Sequence, residues 1–374
     1  MIRPKRGRVR LEGVIRRWLR YAPRIKRIAP RGPGAAGERA RVDHVVILDG
    51  TNSRLTPGLE TNAGITYMLL RETAPSTQLS LHYEAGVAWD SWRATPQVIS
   101  GKGINARIRR AYGAIASRYR PGDRIFLFGF SRGAYAVRSL AGIIDQIGLL
   151  QSAHATERNI RQVFRHYECT PSAETVAAFA EAHCHKDVEI EMVGVWDTVK
   201  SLGLRLPVVW RLTEARHLFH NHALGPHVRH GYHALALHEK RQAFKPILWE
   251  DPEGHPGKVE QMWFRGVHGD IGGQLNGFNA ARPLSNIPLV WMLGKAEALG
   301  LTFPDGWDRR FEIDARAPSA GGWRGWNKIF WARKRRKVGQ FQSEAVHPSA
   351  KKLLSKGAAR APVGTQTEDL NPSS

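Results

Sequence analysis

The chain has 374 residues, a hydrophobic content of 42% and a formal net charge of +23 at pH 7. This length is enough to bury a large core, and twelve tryptophans exclude a chain that is disordered throughout. The charge alone selects no function, because basic surfaces bind nucleic acids, bind anionic membranes or simply stay solvated. The composition indicates a globular protein of one large or two small domains.

Three features bear on location. No uninterrupted apolar run reaches the roughly 18 residues that cross a bilayer, and no apolar segment of a signal peptide follows the basic start. The two cysteines, Cys169 and Cys184, predict no disulfide framework and fit a reducing compartment, although they could pair with each other. We therefore expect a cytoplasmic protein, either free or peripheral at a membrane, with export independent of a signal peptide as the remaining option.

Much of the positive charge lies in the first 40 residues. This segment contains thirteen Lys and Arg against Glu12 and Glu38, which gives it a net charge of +11. A basic amphipathic helix is predicted over 11–21, and residues 30–37 form a Pro- and Gly-rich linker. We predict a basic flexible arm over residues 1–40, with an anionic membrane as its partner or a merely solvated surface as the alternative.

A second basic segment, residues 323–337, combines Arg333–Lys337 with four aromatic side chains. Trp partitions to the headgroup depth of a membrane, so this combination favours an anionic membrane surface as the partner. Nucleic acid is a less expected partner, because residues 1–40 offer only Trp18 and Tyr21 for base stacking. A polyanion-binding protein without catalysis is the interpretation that rests on charge alone.

The order of strands and helices predicts an α/β fold. A continuous apolar strand such as 44–48 indicates burial on both faces, as in a parallel sheet. Strands alternating with helices indicate a mostly parallel sheet with helices on both faces: an α/β-hydrolase-like domain over 41–355, with a helical insertion at 151–186. The tail, 356–374, has the composition of a disordered segment. Strands are predicted at 44–48, 78–84, 123–130, 188–196 and 259–267, and helices at 65–71, 103–118, 134–144 and 284–299.

The sequence Gly129-Phe130-Ser131-Arg132-Gly133 joins a predicted strand to a predicted helix. G-x-S-x-G in this context is typical of a nucleophile elbow, which holds a serine hydroxyl exposed on a strained turn. Gly129 and Gly133 support the turn, because Cβ atoms there would collide with the neighbouring strand and helix. Ser131 is the candidate nucleophile, and an ordinary Gly-containing loop is the alternative.

An aspartate and a histidine follow later strands in the order expected of the α/β-hydrolase arrangement: Ser131, Asp197, His268. His268 would act as the base that takes the serine proton, and Asp197 would fix its tautomer. Asp270 and Asp145 are alternative acids, although Asp145 follows the elbow helix and is less well placed. Asp197 as a helix cap and His268 as a core histidine are the structural alternatives.

The turn after the first strand offers a donor for the oxyanion of an acyl-transfer reaction. We expect the oxyanion hole to combine the backbone N–H of Arg132 with that of Gly50 or Thr51. Asp49 precedes this turn, at the carboxyl end of the strand, where open α/β sheets place their sites. We therefore assign Asp49 a supporting role.

A metal-dependent hydrolase is a second interpretation of the same strand ends. Asp49, Asp197, His268 and Asp270 are residue types that hold divalent cations, and a phosphate ester would then be one option as the substrate. This interpretation leaves the elbow around Ser131 without a purpose. The favoured prediction is therefore a serine hydrolase without metal or cofactor.

Seven motifs occur along the chain in the order of a known family. The chain resembles the α/β-hydrolase catalytic-domain family typified by type VI secretion phospholipase effectors, over about residues 42–355. The motifs are Asp49–Asn52, Gly129–Ala134, Gly194–Val199, His233–Leu237, Arg241–Trp249, Trp263–Gly273 and Val346–Ser349.

The resemblance implies a lipase-like ester hydrolysis with Ser131 as nucleophile and with Asp197 and His268 as its partners. It also implies phospholipid as the substrate class. Position 238 is His where similar proteins tend to carry an acid. The histidines between 217 and 233 lack the spacing of metal ligands, and we expect most of them at the surface.

Overall fold

The computed structural model describes residues 39–74, 76, 78–86, 102–169, 171–199, 224–250, 255–322 and 332–351. Apart from Arg39, these residues lie in the larger of two units of the chain, Ala40–Ser374. The predicted arm over 1–40 lies outside the described residues except for its last two positions. The tail over 356–374, residues 323–331 and the histidines at 217, 220 and 222 also lie outside them. The predicted domain boundaries therefore stay predictions.

One seven-stranded sheet, in the order β2-β1-β3-β4-β5-β6-β7, forms the centre of the described chain. Every neighbouring pair of strands in it is parallel, which confirms the predicted α/β fold with a parallel sheet. The strands are β1 (Asp43–Leu48), β2 (Leu79–Glu84), β3 (Arg124–Phe130), β4 (Ile190–Trp196), β5 (Val228–Ala236), β6 (Lys258–Phe264) and β7 (Glu344–Val346).

Helices lie on both faces of this sheet. They are α1 (Asn62–Thr73), α2 (Lys102–Ala116), α3 (Arg132–Gln146), α4 (Glu157–Cys169), α5 (Ala173–His183), α6 (His268–Gly272) and α7 (Arg282–Ala298). Successive strand residues point to opposite faces, so Val46 and Leu48 join a core with α2, α3, α4 and α5. Val45 and Ile47 join the other core, with α1, α6 and α7. The strand β1 is thus buried on both sides, as its apolar sequence predicts.

The predicted helical insertion at 151–186 is present as α4 and α5. Cys169 at the end of α4 is exposed, Cys184 after α5 is buried, and both are free thiols. Within the described ranges, no helix combines the length and the apolar character needed to cross a bilayer.

The sequence prediction missed β5, which lies within the His-rich segment. His233 on this strand is fully buried, so the expectation of a surface position is wrong for it. The strand pairs with β4 and β6 along its length, and its central position explains why a polar-looking sequence is buried. The short edge strand β7 was also missed, because three residues carry little periodicity.

Candidate active site

Ser131 occupies the sharp turn between β3 and α3. Its backbone has φ 58° and ψ −119°, a conformation that residues other than glycine rarely adopt. An added Cβ at Gly129 would lie 2.6 Å from the carbonyl oxygen of Gly133, and one at Gly133 would lie 1.9 Å from that of Leu48. Only glycine fits at either position, so the elbow sequence dictates this close approach of α3 to β1.

His268 links the serine to an aspartate. Its Nε2 lies 2.9 Å from Ser131 Oγ, and its Nδ1 lies 2.5 Å from Asp197 Oδ2. A carboxylate oxygen only accepts hydrogen bonds, so Nδ1 carries the proton and Nε2 offers a lone pair to the serine hydroxyl. All three residues are buried. Ser131 and Asp197 directly follow β3 and β4, and His268 begins α6 four residues after the end of β6. The structure thus brings together the three side chains that the sequence singles out.

Asp197 is held by more than the histidine. The carboxylate accepts two hydrogen bonds from Arg336, at 2.5 Å to Oδ1 and 2.9 Å to Oδ2, and Oδ1 accepts one from the Ala236 N–H at 3.0 Å. Burial raises the pKa of the Asp197 carboxyl, but the charge of Arg336 and the hydrogen bonds of His268 and Arg336 outweigh burial. The pKa therefore lies well below its usual range, and the carboxyl is ionised at neutral pH.

Two aromatic rings and a buried acid also contact His268. The imidazole lies between the rings of Phe130 and Phe244, with centroid distances of 4.9 Å and 4.7 Å. The backbone N–H of His268 donates to Glu239 Oε2 at 3.2 Å, and Glu239 is itself paired with Arg241 at 2.5 Å. These contacts leave the imidazole few alternative orientations and shield it from water.

The structure reduces the number of backbone N–H groups that can serve as oxyanion donors. The N–H of Gly50 donates to its neighbour Asp49 Oδ1 at 2.6 Å, which occupies that donor. Thr51 is next along the turn, and its carbonyl oxygen accepts from Gln274 Nε2 at 2.7 Å. A Cβ added at Gly50 would lie 3.3 Å from the Cβ of Ser131, so the turn runs directly beside the serine. Thr51 and Arg132, the first residue of α3, stay as candidate donors.

Asp49 anchors this turn from inside the protein. Its Oδ2 accepts from the Thr61 hydroxyl at 2.6 Å and from the Tyr83 hydroxyl at 2.9 Å. Burial raises the pKa of the Asp49 carboxyl, and these hydrogen bonds with that of Gly50 oppose burial only in part. The buried Arg107 donates to the Asp49 carbonyl oxygen at 2.9 Å. The Asp49 side chain thus fixes the backbone beside Ser131, which is how it would support the site.

The two alternative acids make hydrogen bonds of other kinds. Asp145 accepts from the backbone and ring nitrogens of His227, at 3.1 Å and 2.7 Å. Asp270 accepts from the backbone N–H groups of Val267 and Ala320, at 2.8 Å and 2.7 Å. Asp270 thus caps the short helix α6, whereas Asp197 is the acid that contacts the ring of His268.

The four side chains of the metal hypothesis do not form one set of ligands. Among the described residues, no group of three or more His, Cys, Asp and Glu has an arrangement that could hold a metal ion. The Asp49 carboxylate is engaged by Thr61 and Tyr83, and the Asp197 carboxylate by Arg336 and His268. The described part of the site therefore offers no ready ligand set for a cation.

Arg336 corrects the interpretation of the second basic segment. The sequence suggests a continuous basic surface over 333–337, but the side chain of Arg336 is only 4% exposed and is turned toward Asp197. Arg333 is half-buried and donates to the Gly322 carbonyl oxygen. Lys334, Arg335 and Lys337 are exposed. The aromatic residues of the segment lie outside the described residues.

Sequence reasoning missed Arg336, Glu239 and Arg241 as parts of the site. An acid does lie next to position 238, at position 239. Glu239 is buried and accepts a hydrogen bond from the backbone N–H of His268. His238 accepts the Gly266 N–H at 3.1 Å instead. The available signal was the Glu-x-Arg spacing of 239 and 241, two residues after the motif at 233–237, because Glu and Arg are seldom fully buried unless they are paired.

Curated proteins offer one distant relative of this chain. It is 26% identical over 234 residues to the "Uncharacterized protein YEL023C" of Saccharomyces cerevisiae. The alignment covers 55% of this chain and 32% of the relative, so the chain matches about a third of the length of that protein.

Two solved structures show a weak similarity to this chain. One is the Tle1 effector bound to the VgrG spike of the type 6 secretion system, at 16% identity and a TM-score of 0.34 over 62% of this chain and 51% of that one. The other is an uncharacterized protein from Pseudomonas aeruginosa, at 15% identity and a TM-score of 0.38 over 77% of this chain and 51% of that one.

The sequence model of one protein family covers six of the seven strands of the described sheet and most of the site. It is the catalytic domain of the Tle1-like phospholipase effectors of T6SS, and it matches residues 43–295. The matched range contains β1 to β6, Ser131, Asp197 and His268. The resemblance inferred from the seven motifs is thereby confirmed. This chain belongs to the family of T6SS Tle1-like phospholipase effector catalytic domains.

Proposed function

We propose that the protein is a serine hydrolase that cleaves carboxylic esters of phospholipids. The observation that carries the proposal is the continuous chain of hydrogen bonds from Ser131 Oγ through His268 to Asp197, at 2.9 Å and 2.5 Å. Such a chain on a strained elbow is the arrangement that activates a serine hydroxyl. Membership in a phospholipase family supports the choice of substrate.

The reaction follows from the positions of the atoms. Ser131 Oγ attacks the ester carbonyl carbon while His268 Nε2 takes the hydroxyl proton, and the backbone N–H groups of Arg132 and Thr51 would meet the oxyanion. The tetrahedral intermediate collapses to an acyl-serine, and His268 returns the proton to the departing alcohol. Water then repeats the sequence and releases the fatty acid. Asp197 stabilises the imidazolium in both halves without taking its proton.

Access to membranes is the second part of the proposal. The basic arm over 1–40 and the exposed cations Lys334, Arg335 and Lys337 would attract an anionic lipid surface. Export by a type VI route, independent of a signal peptide, is proposed from the family alone. Arg336 takes no part in this surface, because it is turned inward.

Hydrolysis of defined vesicles tests the proposal. Wild-type protein should release fatty acid from vesicles of phosphatidylethanolamine and phosphatidylglycerol, and Ser131→Ala should lower kcat by about 10⁴-fold or more. Ser117→Ala, at an exposed serine at the end of α2, is the matched control and should behave like wild type. Equal hydrolysis by Ser131→Ala would contradict a serine mechanism. Activity lost with a chelator and restored by a divalent cation would favour the metal-dependent alternative.

A further inference from the structure

We propose that Arg336 is a positioning residue for the acid of the triad, holding the Asp197 carboxylate ionised and aimed at His268. This inference rests on the proposed function and adds a residue from outside the region that the family model matches. That region ends at residue 295, whereas Arg336 lies in the segment that precedes β7. The site is therefore completed by a part of the chain that the family match does not include.

The geometry is that of a two-point clamp. Arg336 Nη1 donates to Asp197 Oδ1 at 2.5 Å, and Nη2 donates to Oδ2 at 2.9 Å. The planar guanidinium fork matches a carboxylate in this way, whereas an ammonium group makes only a point contact. Rotation of the carboxyl about its Cβ–Cγ bond would break one of the two bonds. The clamp consequently fixes the plane in which Oδ2 faces His268 Nδ1.

Arg336 is itself held in place by backbone oxygens. Nη1 also donates to the Ala236 carbonyl at 3.0 Å, and Nη2 to the Phe244 carbonyl at 2.5 Å. The first lies at the end of β5, and the second ends a short 3₁₀ turn at 242–244 whose Phe244 ring packs against His268. The guanidinium thus links Asp197 to the end of β5 and to the 3₁₀ turn that carries Phe244.

The clamp keeps the buried Asp197 carboxylate charged. Asp197 is fully buried, and an isolated buried carboxylate would take up a proton rather than stay charged. A protonated carboxyl could donate to His268 Nδ1 and would favour the tautomer that cannot accept the serine proton. Arg336 supplies a permanent positive charge, so Asp197 stays an acceptor before the imidazolium forms.

Other charged groups around the histidine form a balanced set. Ser131 and Asp197 contact its ring, and Glu239 contacts its backbone N–H. Arg241 neutralises Glu239 as Arg336 neutralises Asp197. The buried His233 interacts electrostatically with Asp197 and Arg138, and burial lowers the pKa of His233 to about 3, so His233 is neutral. Removal of Arg336 therefore leaves the Asp197 carboxylate without the cation that is hydrogen-bonded to both of its oxygens.

The test uses a soluble short-chain ester, so that membrane attachment plays no part, and compares four full-length variants with the wild type. Arg336→Met keeps an unbranched apolar stem without the charge, and Arg336→Lys keeps the charge without the fork. Arg335→Met removes the same charge at the exposed neighbouring position and serves as the matched control. Ser131→Ala tests the underlying function separately. Folding is checked by near-ultraviolet circular dichroism before kinetics are measured.

We expect Arg336→Met to lower kcat by about 100-fold with KM within about twofold of wild type, because Asp197 acts on the transition state and not on substrate binding. Without the charge of Arg336, the Asp197 carboxyl takes up a proton at a higher pH, and the protonated acid no longer holds His268 in the tautomer that accepts the serine proton. The acid limb of the kcat/KM profile should therefore move to higher pH by about one unit. Arg336→Lys should recover part of kcat, and Arg335→Met should match wild type.

A folded Arg336→Met protein with wild-type kcat and pH profile, beside an inactive Ser131→Ala, would overturn the positioning role and leave the hydrolase proposal intact. If Arg336→Met does not fold, Arg336→Lys decides. Reduced kcat at unchanged KM in that variant supports the clamp, and wild-type kcat contradicts it. Hydrolysis by Ser131→Ala at the wild-type rate would instead remove the function on which the clamp rests.

Discussion

The backbone N–H of Ser131 donates a hydrogen bond to the carbonyl oxygen of Trp196 at 3.0 Å. This single bond couples the turn of the nucleophile to the residue directly before Asp197. Both Ser131 and Asp197 have positive φ angles, 58° and 44°, so two of the three triad candidates are held in backbone conformations that cost free energy. The surrounding sheet maintains both, because they follow the neighbouring parallel strands β3 and β4.

The elbow should not tolerate a side chain at Gly133. Gly133→Ala places a Cβ 1.9 Å from the carbonyl oxygen of Leu48, a contact with backbone that cannot turn aside. We expect the free energy of unfolding to fall by about 3 kcal/mol or more, measured by urea denaturation. Gly294→Ala is the matched control, since the space around Gly294 in α7 is open. That variant should gain about 0.5–1 kcal/mol, and equal losses in the two variants would contradict the steric argument.

Asp49 should matter for turnover more than for binding. Asp49→Ala frees the Gly50–Thr51 turn beside Ser131, so an oxyanion donor loses its fixed position. We expect kcat on a soluble ester to fall by about 10²-fold with KM little changed. Tyr83→Phe removes only one of the hydrogen bonds to Asp49 and should cost about 1 kcal/mol of stability with a small effect on kcat. Unchanged kcat in folded Asp49→Ala would show that the turn takes no part in catalysis.

The proximity of the candidate nucleophile, acid and base could be predicted from sequence because each follows an apolar strand, and parallel strands bring their carboxyl ends to one edge. Asp197 and Arg336 are 139 residues apart, and no periodicity connects them. The basic run around Arg336 resembles a solvated surface, and only the fold shows which of its side chains turns inward. Similarly, β5 carries His and Gly at positions that are buried only because β4 and β6 flank it. The use of the Gly50 N–H by Asp49 depends on a side-chain rotamer, which sequence does not specify.

His233 should contribute to loss of stability in acid. Burial lowers the pKa of this imidazole from 6.5 to about 3, so the unfolded chain binds its proton more readily than the folded protein. The free energy of unfolding is thus highest above pH 6.5 for this group and decreases as the pH falls toward 3. Its Nε2 accepts the Thr198 N–H at 3.1 Å, an interaction that the Oε1 of Gln can replace. His233→Gln should show a shallower loss of stability over that window, in denaturation curves at stepped pH, and an unchanged slope would contradict this role.

Glu239 and Arg241 form a buried ion pair that should be strongly coupled. Their residues are 1% and 4% exposed, so Glu239→Gln leaves an uncompensated guanidinium in the interior. We expect the free energy of unfolding to fall by about 3–5 kcal/mol. Adding Arg241→Met to Glu239→Gln should recover part of that loss, since both charges are then absent. A double variant whose loss equals the sum of the single losses would show that the two side chains act independently.

Ser131 is the proposed nucleophile, and mass spectrometry after treatment with a fluorophosphonate can identify it. The reagent bonds covalently to a serine that a neighbouring base activates, so the labelled peptide should contain Ser131, and hydrolysis should fall in proportion to labelling. We predict a single adduct at Ser131 and none in Ser131→Ala. Full hydrolytic activity in completely labelled protein, or an adduct at another residue that accompanies the loss of activity, would contradict it.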